Sequence, residues 1–339
     1  MIAPLKISVA MCTFNGDRYL SEQLNSIARQ TLSPFELVVC DDGSTDDSLE
    51  LLNTFSNSVS FPVRLYVNDE NLGSTKNFEK AMELCTGDII ALADQDDVWL
   101  PSKLERIEKS FSGQPQVGVV FTDAVLVDSE LRPLNLQLWK SVRFTRVQQW
   151  RLRNGRAADV LLKHNVVTGA TMAFRASHLR KVLPIPQVWS HDAWVALLVS
   201  FFSRVEIIRE PLILYRQHSS NQVGVSALKT KAERWKGRTF SDRCLKRITK
   251  FESVYERIMS EETWSDFRDN VKGRLESKIR HLKTRHETSK GGWRRILAIR
   301  EFAMLRYHRF SERDRAFIAD FFRFCGDTPK KGTTSQAEV

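Results

Sequence analysis

The sequence lacks any run of about 18 apolar residues, the length that a helix needs to cross a lipid bilayer, and so predicts no membrane-spanning helix. The N-terminal stretch MIAPLKISVAMCTF has one lysine before a short apolar run and no small-residue cleavage site, so we do not expect a signal peptide. Cysteine is scarce too. The five cysteines are scattered without a Cys-x-x-Cys pair, which is typical of buried thiols in a reducing cytosol.

Two phosphate-binding signatures are also absent. No GxxxxGKS or GxxxxGKT segment occurs, which excludes a P-loop, and no GxGxxG follows the first predicted strand, which argues against a dinucleotide-binding domain. The composition, 42% hydrophobic and 27% charged, is ordinary for a soluble globular protein. If this protein binds a phosphate group, it does so without either of these two motifs.

Only the last third of the chain has fewer acidic than basic residues. Residues 226–339 hold 28 Lys and Arg against 16 Asp and Glu, a net charge of +12, whereas the preceding 225 residues carry −2. This asymmetry indicates two parts with different roles. We predict one domain over residues 1–225, a basic helical extension over 226–326 and a disordered polar tail over 327–339.

Strand-like and helix-like segments alternate through the first hundred residues. The predicted strands are KISVAMCTF, FELVVCD, FPVRLYVN and GDIIALAD, and the helices that follow them are GDRYLSEQLNSIARQ, STDDSLELLNTF, STKNFEKAMELC and PSKLERIEKSF. This order predicts an α/β protein with a parallel sheet and helices on both faces.

The pattern changes after residue 116, where we expect the sheet to become mixed. VGVVFTDAVLVDSELRP predicts two short strands, VVTGATMAFRA another strand, HDAWVALLVSFFS a buried helix and RVEIIREPLILYRQH a pair of strands. From about residue 226 only helices are predicted, in KTKAERWKGRTF, CLKRITKFESVYERIMSEE and WRRILAIREFAMLRYHRF.

Three polar clusters follow predicted strands. Each alone is typical of a turn, a helix cap or a solvated loop, but all would meet at the carboxyl edge of the sheet, where ligands bind in open α/β folds. The clusters are Thr13 with Asn15, Asp41 with Asp42, and the trio Asp94, Asp96 and Asp97.

The residue types in these clusters suit a nucleoside diphosphate and a divalent cation. Asp41 or Asp42 can accept hydrogen bonds from a base N–H or from ribose hydroxyls. Asp94 and Asp96, at positions i and i+2, supply the hard oxygen ligands that Mg²⁺ or Mn²⁺ takes, with phosphate oxygens and water completing the shell. Such a cation neutralises charge on a departing diphosphate.

Four segments together resemble the inverting glycosyltransferases of family 2, over about residues 5–220: VAMCTFNGDRYLSEQLNSI, VVCDDGSTDDS, NDENLGSTKNFEKAM and GDIIALADQDDVW. The resemblance implies a GT-A fold, a Rossmann-like mixed sheet. SHDAWVALL and LYRQHSSNQVG are similar to segments of the rhamnosyltransferase-like members of bacterial polysaccharide pathways.

The resemblance also implies roles for single residues on the donor side. Thr13 and Asp41 would hold the nucleobase with Asp42 nearby, Asp94 would contact ribose or metal, and Asp96 would bind the metal. Other candidates are Asn15 and Lys76 for the nucleotide, His218 for the metal, and Asp97 and Arg216 for the diphosphate or acceptor. Gln95 stands where many relatives have Ala or Ser.

The general base implied by the resemblance is Asp192, which opens the predicted helix DAWVALLVSFF. Inversion needs one in-line displacement, and a carboxylate can take the proton of the attacking hydroxyl. The competing interpretation is that Asp192 merely caps that helix. His191 would orient the base, contact the acceptor or only pack, and Asn165, Thr168 and Gly169 are candidates for the acceptor side.

The basic segment GWRRILAIREFAMLRYHRF has apolar residues at helical spacing, namely Trp293, Ile296, Leu297, Phe302 and Leu305. Two interpretations remain open: a helix on an anionic membrane surface, or a helix packed on the first domain with a solvated basic face. We do not expect nucleic acid binding, because no recognised motif is present.

The expected function is therefore a metal-assisted transfer of a sugar from a nucleotide-diphosphate donor to a glycan. The resemblance implies dTDP-L-rhamnose, with UDP- and GDP-sugars as alternatives, and a lipid-linked acceptor of a surface polysaccharide at the inner face of the cytoplasmic membrane. A nucleotidyltransferase would begin with a Gly-rich basic loop, which TFNGDRYL does not resemble. A non-catalytic nucleotide-sugar-binding scaffold is the alternative from another class.

Overall fold

The structure is a computed structural model that describes residues 4–218, 239–290 and 296–311, with the isolated residues 294, 316 and 320. Three sequence-based expectations lie outside these residues. They are nearly all of the helix predicted for KTKAERWKGRTF, the side chain of Trp293, and the polar tail over 327–339.

The first half of the sheet is parallel, as the alternating pattern predicts. Strand β1 lies between β2 and β4, and β3 pairs with the far side of β2. The strands are β1 (Ile7–Thr13), β2 (Glu36–Asp41), β3 (Val63–Val67) and β4 (Ile89–Ala93). The helices that connect and follow them are α1 (Asp17–Ala28), α2 (Ser48–Ser56), α3 (Ser74–Leu84) and α4 (Lys103–Phe111).

The second half of the sheet mixes directions, which confirms the predicted change after residue 116. Strand β8 runs antiparallel to both β4 and β6, β9 is parallel to β6, and the full order is β3-β2-β1-β4-β8-β6-β9-β5 with β7 beside β6. The bounds are β5 (Val98–Trp99), β6 (Val117–Val127), β7 (Pro133–Gln137), β8 (Met172–Arg175) and β9 (Arg204–Arg216).

Two segments predicted as strand pairs are single long strands, so that part of the prediction is wrong. Strand β6 runs through the polar pair Thr122 and Asp123 because the Asp123 carboxylate is satisfied inside the fold, by the N–H groups of Ala124 and Trp139. Strand β9 runs past Pro211 because its register with β6 shifts there, and such irregularities accommodate a residue without an N–H donor.

Short helices fill the connections on the way to the buried helix that the sequence predicts. Helix α9 (His191–Val199) is that helix, and the residues from Ala193 to Val199 are all buried. The others are α5 (Leu138–Ser141), α6 (Arg146–Arg151), α7 (Ala157–Lys163) and α8 (Leu179–Val182), with a π turn at Leu152–Arg156 and 3₁₀ turns at Gly169–Thr171 and Ala176–His178.

The sheet separates two hydrophobic cores, as expected for helices on both faces. One core contains apolar residues of α1, α2 and α4, and the other contains those of α3 and α9. Strand β1 serves both, since Val9 and Met11 face the first core and Ala10 faces the second.

The C-terminal region is helical, as predicted, but its elements differ. Its helices are α10 (Phe240–Ser260), α11 (Arg268–Ser289), α12 (Ile296–Ala303) and α13 (Arg306–Phe310), and a 3₁₀ segment spans Glu262–Phe267. Helix α11 is absent from the sequence analysis, and the helix predicted over WRRILAIREFAMLRYHRF is broken where Leu305 adopts a φ of 56°. Helix α10 packs Phe251, Val254 and Ile258 into the same core as α9.

Candidate active site

The ends of β1 and β2 are joined by a hydrogen bond between two fully buried side chains. The Thr13 hydroxyl donates to Asp41 Oδ2 at 2.6 Å. The other oxygen, Asp41 Oδ1, accepts the backbone N–H groups of Gly43 (3.1 Å) and Ser44 (2.7 Å). Asp41 thus closes the turn of DDGS and fixes the position of Thr13.

Asp42 organises a second loop, the NLG segment that leads into α3. Its carboxylate accepts the backbone N–H of Leu72 at 2.8 Å and that of Gly73 at 2.9 Å, and the Asn68 amide at 2.8 Å. Gly73 has a φ of +75°, which other residues rarely adopt. Lys76, in the first turn of α3, pairs with Glu79 at 2.7 Å.

The loop after β1 is held from both sides. Asn15 Oδ1 accepts the Thr45 N–H at 2.8 Å, and the Gln95 side chain forms two hydrogen bonds with the backbone of Phe14, at 2.8 and 3.1 Å. A Cβ atom on Gly16 would lie 2.4 Å from Gln95 Oε1, so the close approach requires glycine. Gln95 therefore aligns the first polar cluster with the third.

The trio after β4 lies where carboxylates are costly. Burial, together with the charges of Asp96 and Asp192, raises the pKa of Asp94 to about 7. Burial likewise raises the pKa of Asp97 well above its usual range. Asp97 Oδ1 accepts the Arg216 N–H at 3.0 Å, whereas Oδ2 is buried without a hydrogen-bond partner among the described residues.

The positively charged Lys103 lies beside these carboxylates and was not predicted from the sequence. It is fully buried in the first turn of α4, its ammonium lies 3.3 Å from the centroid of the Trp99 ring, and it donates to the Ala170 carbonyl at 2.8 Å. Burial lowers its pKa, while the charges of Asp97 and Asp94 act in the opposite direction. The only sequence signal is a lysine on the apolar face of α4.

The end of β9 brings His218 to the third cluster. His218 Nε2 lies 2.8 Å from Asp96 Oδ2, and its ring centroid lies 4.7 Å from that of Tyr19 of α1, with the two rings tilted by 40°. The carboxylate oxygen of Asp96 and the ring nitrogen of His218 therefore lie side by side, and both atom types are common metal ligands.

Arg216 is directed into the protein, although it was a candidate for the diphosphate or acceptor. Its side chain is 1% exposed, Nε donates to the Asp96 carbonyl at 2.7 Å, and the guanidinium also contacts Ser129 and Glu22. Arg216 thus holds the DQDD loop in place, and the structure gives it no exposed face for a ligand.

Asp192 occupies the second position of α9 and not the cap. Ser190 is the N-cap residue, and Asp192 Oδ1 accepts the N–H of Ala193 at 2.6 Å. The simple cap interpretation is therefore wrong. The effect of Asp192 on the pKa of Asp94 shows that the two carboxylates are electrostatic neighbours, although 98 positions separate them in sequence.

His191 is a packed residue. Its ring stacks on Phe78 at 3.9 Å, neither ring nitrogen has a hydrogen-bond partner among the described residues, and burial lowers its pKa. A Cβ on Gly169 would lie 2.6 Å from His191 Nε2, so Gly169 is required by this contact. Asn165 bonds to Val167 of its own loop, and the Thr168 carbonyl accepts the N–H of Thr171.

The third cluster fits a divalent cation that arrives with a diphosphate. Within the described ranges, no group of three or more His, Cys, Asp or Glu side chains is arranged around one point, so a complete protein cage is absent there. Mg²⁺ and Mn²⁺ sites for nucleotides need only one or two carboxylates, with phosphate oxygens and water supplying the rest. The unpartnered Asp97 Oδ2 and the raised pKa of Asp94 both mark negative charge that a cation would offset.

A parallel half-sheet with polar clusters at its carboxyl edge, extended by a mixed half-sheet, is the architecture of the GT-A fold. Solved structures support this fold. TarS of S. aureus, residues 1–349 in complex with UDP-GlcNAc, has a TM-score of 0.55 at 15% identity and covers 94% of this chain and 89% of its own. The mannosyltransferase PcManGT from Pyrobaculum calidifontis, in complex with GDP-Man and Mn²⁺, gives 0.51 at 16% identity, with coverage of 94% and 86%.

The family model for glycosyl transferase family 2 matches residues 8–183, more than half of the sequence. The chain belongs to this family. The resemblance stated from the motifs is confirmed.

Curated relatives are similar over part of their length. An uncharacterised glycosyltransferase of Nostoc sp. is 29% identical over 64% of this chain and 66% of its own. A glucosyl-dolichyl phosphate glucuronosyltransferase of Haloferax volcanii is 33% identical over 38% and 42%. The E. coli enzyme WfgD, a UDP-Glc:α-D-GlcNAc-diphosphoundecaprenol β-1,3-glucosyltransferase, is 32% identical over 29% and 38%. This chain therefore spans less than two thirds of each relative.

No helix in the described part of the chain combines the length and the apolar character that spanning a membrane requires.

Proposed function

We propose that this enzyme transfers a sugar, with inversion, from a nucleotide-diphosphate donor to a glycan hydroxyl, and that Asp192 is the general base. The observation that carries the proposal is the convergence of Asp94 and Asp96, which follow β4, with Asp192, which lies at the start of α9 far along the chain. Such a convergence provides a base beside a cation-binding cluster.

Asp96 and His218, with Asp94 beside them, would hold the divalent cation, and Asp97 would add negative charge behind them. When bound, Mg²⁺ or Mn²⁺ neutralises charge that develops on the leaving diphosphate. The two turns fixed by Asp41 and Asp42 would receive the nucleoside, together with Thr13, Asn15 and Lys76.

Asp192 would accept the proton of the attacking hydroxyl. Its Oδ1 is held by the N–H of Ala193, which fixes the orientation of the carboxylate at the start of α9. The buried ring of His191 and the bulk of Phe78 pack behind it, so the base is placed on a rigid element.

For the donor, the resemblance favours dTDP-L-rhamnose, and UDP- and GDP-hexoses are the alternatives. Three similar proteins are named with UDP-GlcNAc, GDP-Man or UDP-Glc. These names support a nucleotide-diphosphate sugar as the donor, but they do not select one nucleotide or one sugar. For the acceptor we propose a lipid-linked glycan of a surface polysaccharide, since the relative WfgD is named for a diphosphoundecaprenol-linked one.

We also propose peripheral contact with an anionic membrane, because α12 buries a charged side chain and exposes apolar ones. Its buried face carries Ala298 and Glu301, and Glu301 pairs with His281 at 2.8 Å and with Arg306 at 2.6 Å. Its outer face and the following turn expose five large apolar residues, Ile296, Ile299, Phe302, Met304 and Leu305. Leu297, predicted for the same stripe, is instead half-buried, and Ile299 takes its place.

Exposed or half-exposed basic residues surround this apolar surface, namely Lys290, Arg294, Arg300, Arg306, His308 and Arg309. An apolar surface bordered by positive charge is the chemistry that an anionic lipid interface binds. Such contact would bring the site close to a lipid-linked acceptor at the inner face of the cytoplasmic membrane.

The first test is calorimetric titration of UDP, GDP and dTDP, with and without Mn²⁺. We expect metal-dependent binding of one nucleotide that is lost in Asp96→Asn and kept in Asp266→Asn, which removes an exposed carboxylate in the helical region. Absence of binding by every nucleotide in the presence of Mn²⁺ would overturn the proposed function, whereas nucleotide binding without any sugar transfer would favour the scaffold alternative.

A further inference from the structure

A cavity of about 270 Å³ opens beside the start of α9, between this helix, the end of α7 and one face of α10. Ser190 and Ala193, which flank the pair of His191 and Asp192, both contribute to its wall. The cavity thus adjoins the proposed base on the side formed by α10, a helix that lies beyond the segment matched by the family model.

The wall of this cavity is positively charged. It contains Lys163, Arg247 and Lys250, and it contains no Asp or Glu among its described lining residues. Arg247 also donates to the Lys163 carbonyl at 3.2 Å, which ties α10 to the end of α7. Burial lowers the pKa of Lys250, the charges of Lys246 and Arg247 lower it further, and Asp192 acts in the opposite direction. Lys250 is therefore an electrostatic neighbour of the base.

Two aromatic side chains complete a rigid wall. Trp189 and Phe251 are both largely buried and meet edge to face at 5.7 Å, and the Lys250 ammonium lies 4.8 Å from the centroid of the Trp189 ring. Trp189 Nε1 donates to the Lys250 carbonyl at 3.0 Å, which fixes the indole on α10. Flat aromatic surface beside fixed cations suits a ligand with an apolar face and an anionic group.

The start of α9 adds to the positive potential, because the first N–H groups of a helix carry partial positive charge. This helix has nine residues, and its N-cap residue, Ser190, lines the cavity. Arginine and lysine together with helix N–H groups are typical of phosphate recognition.

We infer that this cavity binds a phosphoryl group carried by the acceptor, and so holds the acceptor's phosphate while its sugar hydroxyl lies at Asp192. The inference rests on the proposed function and deepens it, because it names a sugar phosphate as the acceptor class. It also assigns a role in substrate binding to α10.

The test compares two probes that differ in charge, α-D-glucose 1-phosphate and methyl α-D-glucopyranoside, titrated into the full chain with EDTA present. EDTA keeps the phosphate from binding through a metal at Asp96. We expect the sugar phosphate to bind at least tenfold more tightly than the neutral glycoside. We expect this preference to disappear in Arg247→Gln/Lys250→Gln.

Two control variants separate charge from structure. Arg247→Lys/Lys250→Arg keeps both charges and should retain the preference, and Lys246→Gln removes an exposed charge on the same helix outside the cavity wall and should also retain it. Thermal melting of each variant checks that it is folded.

The inference is overturned if the wild-type chain does not distinguish the two probes, or if Arg247→Gln/Lys250→Gln keeps the preference. It is also overturned if inorganic phosphate binds as tightly as the sugar phosphate, because the cavity would then hold free phosphate. UDP, GDP and dTDP, each titrated with Mn²⁺ into the same variants, report on the proposed function separately. Loss of nucleotide binding alone would count against the proposed function and leave the phosphoryl site intact.

Discussion

Single carboxylates in this enzyme have different tasks because their surroundings differ. Asp41 and Asp42 accept backbone N–H groups and shape loops, whereas Asp97 is buried with one oxygen unpartnered among the described residues and Asp94 is half-buried, and desolvation raises the pKa of each. Asp192 is fixed by one backbone N–H at a helix start. The same residue type thus builds loops and, in the proposed function, binds a cation and provides the base.

Asp192→Asn should lower kcat by roughly 10² to 10⁴, the usual contribution of a general base, because an amide cannot accept the proton of the attacking hydroxyl. Nucleotide binding in the presence of Mn²⁺ should stay unchanged, since the role proposed for Asp192 is on the acceptor side. Steady-state kinetics and calorimetry on the same preparation measure both quantities. A variant that keeps near-wild-type kcat would remove Asp192 as the base.

Lys103→Met should lower the free energy of unfolding by about 3 kcal/mol, the scale of breaking a buried ionic contact. The substitution leaves the Ala170 carbonyl without its donor and removes a positive charge that acts on Asp94 and Asp97. Urea denaturation measures the change, and Lys109→Met on the exposed face of α4 is the matched control. Equal stability of the two variants would show that Lys103 does not compensate the carboxylates.

At the scale of elements, β9 has the largest influence on the site, because one strand end delivers both Arg216 and His218. Arg216 fixes the backbone of the DQDD loop from inside, and His218 meets Asp96 from the open side. The parallel pairing of β9 with β6 sets where this end lies. The site thus depends on an element that begins more than a hundred residues after β4.

The outward apolar face of α12 predicts membrane contact that two substitutions should weaken. Ile299→Glu/Phe302→Glu should lower recovery on anionic liposomes at least tenfold, because each buried side chain of this size contributes about 1.5–3 kcal/mol. Flotation measures the bound fraction. Leu245→Glu, which changes an exposed leucine of α10, is the control and should leave recovery unchanged.

At the scale of the whole fold, burial lowers the pKa of three described histidines, and the shift is large for two of them, His178 and His281. Burial, together with the charges of Arg175 and Lys181, lowers the pKa of His178 to about 4, and burial lowers that of His281 to about 4 as well. The unfolded chain, with a histidine pKa of about 6.5, binds these protons more tightly. Both groups therefore contribute stability above about pH 6.5, and this stability is lost as the pH falls toward 4.

His281→Gln should flatten the acid side of the stability profile by about 1.4 kcal/mol per pH unit between pH 6 and 4.5, because one of the two titrating groups is gone. Asp94 titrates in the opposite sense, so the two proteins are compared at identical pH, with and without Mn²⁺. Denaturant midpoints across this range give the slopes. Parallel profiles for the two proteins would refute the role of His281.

What the sequence determined by itself is local. The alternation of apolar runs gives β1 to β4 and the helices between them, and the strand ends give Thr13, Asp41, Asp42 and the DQDD trio at one edge. These follow from periodicity and from the rule that parallel strands share a carboxyl edge. The family motifs lie within the same segments.

Only the tertiary structure decided which distant side chains meet. The contact of His218 with Asp96, the burial of Lys103 and the inward direction of Arg216 depend on strand order and crossover, which no short window of sequence contains. The exposed apolar face of α12 has the same origin, since the pairing of Glu301 with His281 of α11 sets the rotation of that helix. Periodicity specifies that a helix has two faces, but the packing partner determines which face is buried.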